Sequence, residues 1–263
     1  MKKTSFTAIL LFVCSLLQAQ PVKLMPPGEL FADTYAVIVG VADYPSSPLD
    51  YTDDDAYKFY GHLRSSVGYS VPDENIILLM NREATKANMV AALEAVVKVA
   101  KASDRIIFYF TGHGSKEGVI PIDHNNLTNL LEHWEIKSSL KKSPSQNKTC
   151  IIDACHAGAL GSSWYIGMVS DLLYGYIDSG IALFLASTGD QKSKESSLIR
   201  QGYFTYYLLQ GMQGGADFDR NKAITLGELH RYVLDRVSLA TQNTQTPILA
   251  GDYDVRKVLR ILP

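Results

Sequence analysis

The stretch TCIIDACHAG, Thr149–Gly158, runs from apolar residues straight into an aspartate, a cysteine and a histidine, then a small glycine-ended turn. An apolar run of this length without alternation reads as a strand buried on both faces. In an open α/β sheet, ligands collect at the carboxyl ends of the strands. Asp153 and Cys155 therefore stand where chemistry would be expected. Another run, RIIFYF (105–110), stops in the same way at TGHGS, with His113 between two glycines. If the two strands are neighbours, His113 and Cys155 face each other across the top of the sheet.

Three further runs complete the pattern: TYAVIVGV (34–41), NIILLM (75–80) and IALFLAST (181–188). Helical spacing lies between them. Residues 53–65 open on Asp53, Asp54 and Asp55, which suit a helix N-terminus, and carry Ala56, Phe59, Tyr60 and Leu63 on one face. Residues 85–100 put Met89, Leu93, Val96 and Val97 together, with Thr85 as the expected N-cap. LTNLLEHWEIKSSL (127–140) and GYFTYYLLQGM (202–212) read as two more helices. Strands alternating with helices predict an α/β fold around a mainly parallel sheet. No internal repeat or low-complexity linker divides the chain, so one domain is expected.

The chain has 263 residues and a net charge of −2. That charge offers no basic surface for phosphates, so nucleic acid is not an expected partner. The first residues are lysine-bearing, then apolar over Ala8–Leu17, then end in a small residue, Ala19. This is the layout of a secretory signal peptide spanning 1–19, too short to cross a bilayer. Residues 20–33 would be a short N-terminal segment, and 34–263 the folded domain. The expected location is exported, periplasmic or extracellular, with no stable membrane insertion. Of the three cysteines, Cys14 leaves with the signal. On one strand, Cys150 and Cys155 would lie roughly 16 Å apart, too far for a disulfide. A thiol left unpaired in an exported protein points to use in chemistry.

A thiolate is the nucleophile that cysteine offers, and a nearby histidine can accept the thiol proton and later return it to a leaving amine. Gly114 adds a backbone N–H that can approach a substrate oxygen, and with the Cys155 N–H it could form an oxyanion hole. Together these parts describe acyl transfer through a thioester.

IIFYFTGHGS followed by CIIDACHAG resembles the caspase-type cysteine peptidases, especially their metacaspase, paracaspase and bacterial branch. YAVIVGVADY, LDYTDDDAYKFYGHL, VIPID and ASTGDQKSKES are similar to further segments of that family, so the likeness covers nearly the whole chain beyond the leader. The resemblance implies a caspase-like three-layer α/β/α sandwich and a cysteine endopeptidase with a peptide or protein substrate. Its nucleophile would be Cys155 and its catalytic partner His113, with the Gly114 and Cys155 amides as oxyanion donors. It also implies an acidic substrate pocket, formed by Asp55 and Asp153, that selects arginine or lysine before the scissile bond. A guanidinium between two carboxylates makes charge-assisted, bidentate bonds. The runner-up is a caspase-fold interaction module with little catalysis.

Between Lys148 and Lys192 there is no lysine or arginine, so an enzyme of basic specificity would not cut itself there. Such an enzyme acts as a single chain, or cuts itself nearer Lys192, Lys194 or Arg200. His156, the neighbour of Cys155 on the strand, is expected on the opposite face in a structural role. The chemistry requires no cofactor. DFDRNKAITLGE follows a calcium-loop pattern through Asp217, Asp219, Asn221 and Glu228, but has Lys222 where glycine is expected. GHGSKEG is not expected to be a nucleotide loop, because no helix follows it. No CxxC or HxxxH spacing supports zinc.

Overall fold

The computed structural model describes residues 33–263 except 67, 116, 126–128, 155–179, 189–190 and 252. The expected leader, Cys155, His156 and the basic-free segment after them lie outside the described residues, apart from its last part.

Five of the strands are the apolar runs. β1 is Thr34–Gly40, β2 Ile76–Met80 and β3 Arg105–Gly112, while two short strands, β4 Gly118–Val119 and β5 Leu131–Glu132, pair as a hairpin. β6 is Asn147–Ala154 and β7 Ile181–Leu185; β8 Glu195–Ser196 and β9 Gln201–Gly202 form a second hairpin. β10 Ala223–Thr225, β11 Ile248–Gly251 and β12 Val258–Ile261 follow. The main sheet runs β11-β7-β6-β3-β1-β2. All its pairings are parallel except β11 with β7. β3 and β6 are neighbours, as the paired motifs require, with Thr111 opposite Asp153 and Gly112 opposite Ala154.

Helices cover both faces, giving a three-layer α/β/α sandwich. Successive strand residues point to opposite sides. Val37, Val39, Phe108, Phe110, Cys150 and Ile152 pack on α2 (Lys86–Val99) and α3 (His133–Lys141). Ala36, Ile38, Ile107, Tyr109 and Ile151 pack on α1 (Thr52–Arg64), α4 (Tyr203–Gln210) and α5 (Leu226–Ala240). Both faces are dry, so the strands read as unbroken apolar runs rather than alternation. Cys150 is free and buried on the α2 side, and burial raises its thiol pKa. A neutral, enclosed thiol of this kind is inert.

Helix starts follow local chemistry. Thr85 caps α2 by accepting the Asn88 N–H at 3.2 Å. The helix expected from 127 begins instead at His133. Leu131 and Glu132 are used as strand β5, and Glu132 with Glu135 closes a capping box. After β4 ends at Val119 the VIPID segment turns, and among the described residues no helix follows GHGSKEG there. α4 runs on into a π-turn over Gly211–Gly215. Among the described residues, no helix is long and apolar enough to cross a membrane.

Candidate active site

His113 follows the last residue of β3 and is half-buried. Its Nε2 lies 2.7 Å from the carbonyl oxygen of Ser47. A carbonyl oxygen only accepts, so Nε2 carries the hydrogen and, in the neutral ring, Nδ1 keeps the lone pair. That leaves Nδ1 as the base. The backbone beyond His113 folds back: Ile120 N–H donates to His113 C=O at 3.0 Å, and Ser115 N–H to Gly118 C=O at 2.8 Å. These bonds flank Gly114 in its bridge to Val119. Among the described residues, none accepts the Gly114 N–H, the arrangement an oxyanion donor needs.

Cys155 follows Ala154, the last residue of β6, and lies outside the described residues. Asp153, two positions earlier, is fully placed. Its side chain is on the α1 and α4 side of the sheet, buried to 4 % exposure. Thr205 donates to its Oδ2 through the hydroxyl at 2.7 Å and the N–H at 3.3 Å, while the Ser193 hydroxyl donates to Oδ1. Asp55, in the first turn of α1, is 1 % exposed. It accepts the Gly202 N–H at 2.8 Å and the Gln201 amide at 3.1 Å. Its neighbours Asp53 and Asp54 are only partly buried and serve the helix start.

These groups meet in one recess with an empty volume of ≈ 320 Å³ including its mouth, lined by Asp55, Asp153, His113, Ser193, Glu195 and Gly202 among others. The structure thus brings together three of the candidate residues, Asp55, Asp153 and His113. It adds Glu195, whose carboxylate accepts the N–H groups of Asp50 and Tyr51 at 3.2 Å each. Burial, then the nearby Asp153 carboxylate, raises Asp55 well above the ordinary carboxylate range; Gly202 and Gln201 oppose the shift. Burial likewise raises Asp153 against its hydroxyl donors, and raises Glu195. None of the three forms an ion pair with a described lysine or arginine. Lys58 opposes the Asp55 shift only weakly and from outside ion-pair distance, so carboxylates that crowd each other here are ones that an entering cation would settle.

Sequence reading missed Glu195, Ser193 and Ser47. Glu195 sits in a polar stretch with no hydrophobic pattern, and Ser47 acts through its main chain, which leaves no residue signature.

The loop at 217–228 is remote in role from the recess. Carboxylate oxygens of Asp217, Asp219 and Glu228 lie within 4.8 Å of one another. Asn221 instead spends its side chain on Ala223 N–H and Asp219. Lys222, where glycine was expected, takes the left-handed conformation at φ 65°. Asp217 is engaged by the N–H groups of Asn221 and Lys222, and Glu228 by Thr225. The cluster is held together by its own backbone.

The caspase-domain family model matches residues 33–253. Metacaspase III c of Phaeodactylum tricornutum is 31 % identical over 108 residues, 34 % of this chain and 32 % of that protein. Metacaspase-1 of Kluyveromyces lactis is 26 % identical over 150 residues, 49 % of this chain and 32 % of its own length. Metacaspase-1A of Aspergillus oryzae is 28 % identical over 142 residues, 46 % of this chain and 31 % of its length. The chain spans about a third of the curated relatives it matches. A crystal structure of a Geobacter sulfurreducens protein superposes with a TM-score of 0.61 at 16 % identity, covering 88 % of this chain and 100 % of that one, a likeness of fold.

Proposed function

This chain belongs to the caspase-domain family, and from that premise we propose that it is a cysteine endopeptidase cleaving after arginine or lysine. The observation that carries the specificity is the recess beside His113, with two buried carboxylates, a half-buried third and no ion-paired cation. An arginine or lysine side chain entering it supplies the missing charge. Aspartate would add a fourth negative group to a desolvated site, which is strongly unfavourable.

In the proposed reaction, His113 Nδ1 takes the Cys155 thiol proton. The thiolate attacks the carbonyl carbon, and the displaced electron pair moves onto oxygen. The Gly114 N–H, with the N–H of Cys155, stabilises that oxyanion. Collapse breaks the C–N bond, and the amine leaves with the proton that His113 had taken. Water, deprotonated by the same nitrogen, then attacks the thioester, releasing the acid and restoring the thiol. The Ser47 carbonyl keeps the ring in the tautomer this sequence of steps needs, and stabilises the imidazolium between them. No metal enters any step. The N-terminal layout supports export, for which a mature chain beginning at Gln20 is the expected product on N-terminal sequencing.

The reading is tested with two fluorogenic peptide pools, one ending in arginine or lysine and one in aspartate, against wild type and Cys155→Ala. Cleavage of the basic pool alone, abolished in the variant, is expected. Cleavage of the aspartate pool would overturn the pocket, and cleavage by Cys155→Ala would overturn the nucleophile.

A further inference from the structure

The loop after β1 does more than supply Ser47. Tyr44, 2 % exposed, sends its hydroxyl into the fold-back that carries His113 and Gly114. The hydroxyl accepts the His113 N–H at 3.0 Å and donates to the Ile120 carbonyl at 2.6 Å. Ile120 N–H in turn donates to His113 C=O at 3.0 Å. In an ordinary antiparallel pair, residues 113 and 120 would exchange both bonds directly. Here one is direct and the return bond is relayed through a phenol. The pair is wedged open on one side by an oxygen atom, just where the chain bears the catalytic ring and the adjacent N–H.

Three features show a built fit. The Tyr44 ring lies 4.5 Å from the His113 imidazole, centroid to centroid. Gly112 makes room for the hydroxyl: a Cβ there would stand 2.7 Å from the Tyr44 oxygen. The loop itself is anchored, because Ala42 C=O accepts the N–H groups of Tyr44 and Leu49, and Asn81 Oδ1 accepts those of Ala42 and Asp43 at 2.7 and 3.1 Å. Tyr44 and Ser47 thus hold one histidine at its backbone, its ring face and its Nε2, from a single pinned loop.

We propose that Tyr44 is a positioning residue that sets the pose of His113 and the direction of the Gly114 N–H through its hydroxyl relay. This rests on the peptidase reading, but it predicts behaviour that can be measured without a substrate. Losing the relay leaves the His113 N–H and Ile120 C=O either unpaired or closed directly on each other, and both shift the ring and the following amide. A misplacement near 1 Å lowers rates about a hundredfold. The pocket carboxylates are held by other elements, so substrate binding is spared.

The test compares wild type, Tyr44→Phe and Gly112→Ala in the full chain; the second variant crowds the same hydroxyl without altering the tyrosine. Thermal unfolding first establishes that each is folded. Arginyl-peptide kinetics then give kcat and KM, and iodoacetamide alkylation of Cys155, located by mass spectrometry, gives the pH profile of the thiolate. The expected result is a kcat lowered roughly ten- to hundredfold with KM within about twofold, and an alkylation profile displaced to higher pH as the thiolate loses its imidazolium partner. Wild-type kcat and alkylation in a folded Tyr44→Phe, or a raised KM at unchanged kcat, would overturn the proposal. A lowered kcat with an unmoved alkylation profile would overturn its histidine half and leave the Gly114 N–H as the affected group. If wild type cleaves nothing, the peptidase reading fails while the alkylation comparison still judges Tyr44.

Discussion

At the scale of single residues, the recess depends on an atom that is not there. A Cβ on Gly202 would lie 2.9 Å from one Asp55 oxygen and 3.0 Å from one Asp153 oxygen. Gly202→Ala must therefore push the two carboxylates apart or displace the N–H that Asp55 accepts. The expected outcome is a KM for arginyl peptides raised roughly tenfold and a fold weakened by about 1–3 kcal/mol, read from steady-state kinetics and urea unfolding. The carboxylates also set a pH dependence. Their acidities are weakened by burial, so on acidification they lose charge before ordinary carboxylates do. KM for an arginyl peptide should rise as pH falls, beginning above the usual carboxylate range, and Asp153→Asn should start high and respond less. An identical pH–KM profile in that variant would remove Asp153 from the pocket. Sequence reached Asp153 by its place at a strand end, but Asp55 and the pairing of the two through resemblance alone: a helix start explains all three acids at 53–55, and only burial singles out the third. Ser47 and Tyr44 stayed hidden because one acts by its carbonyl and the other by a hydroxyl inserted between distant backbone groups.

At the scale of elements, legibility follows hydrophobic pattern. The five apolar runs became strands of the main sheet: four are dry on both faces, and the edge strand β2 is half-buried but still apolar throughout. The hairpins β4–β5 and β8–β9 did not announce themselves, since two-residue strands have no period to read. Yet β8–β9 supplies Glu195, Gln201 and Gly202, three of the groups that build the recess. Function here sits on the least patterned part of the chain, as is general for loops on a rigid scaffold. Capping is the other readable signal. Thr225 and Glu228 close a capping box at the start of α5. Glu228→Ala should lower stability by about 1 kcal/mol, measurable as a shift in urea midpoint. A loss well beyond that would mean that the carboxylate cluster with Asp217 and Asp219 does more than cap.

At the scale of the whole molecule, fold class and parallel character were legible, whereas the antiparallel strand β11 at the sheet edge was not, because ILAG carries too little pattern to declare a direction. Sheet order places the β3 and β6 ends side by side, and that adjacency brings His113 and Asp153, from motifs some forty residues apart, to one recess. Buried histidines tie the global fold to pH. Burial pushes His62 and His133 down to about 4. An unfolded chain takes those protons near pH 6.5. Their share of stability is therefore complete above about pH 6.5 and falls on acidification towards 4, at about 1.4 kcal/mol per pH unit for each histidine. The raised carboxyls act oppositely, since the folded state keeps protons that the unfolded chain releases. Comparing wild type with His62→Gln by urea unfolding at pH 7 and 5 isolates the histidine share: the variant should lose less on acidification, and equal losses would contradict the assignment. The proposed pairing of one nucleophile with one acidic pocket is tested most directly by intact-mass analysis after incubation with peptidyl-arginyl and peptidyl-aspartyl halomethyl ketones of the same length. A single adduct from the arginyl reagent, mapped to Cys155 and absent with the aspartyl reagent, is the predicted result; an aspartyl adduct at Cys155, or an arginyl adduct on any other residue, would contradict it.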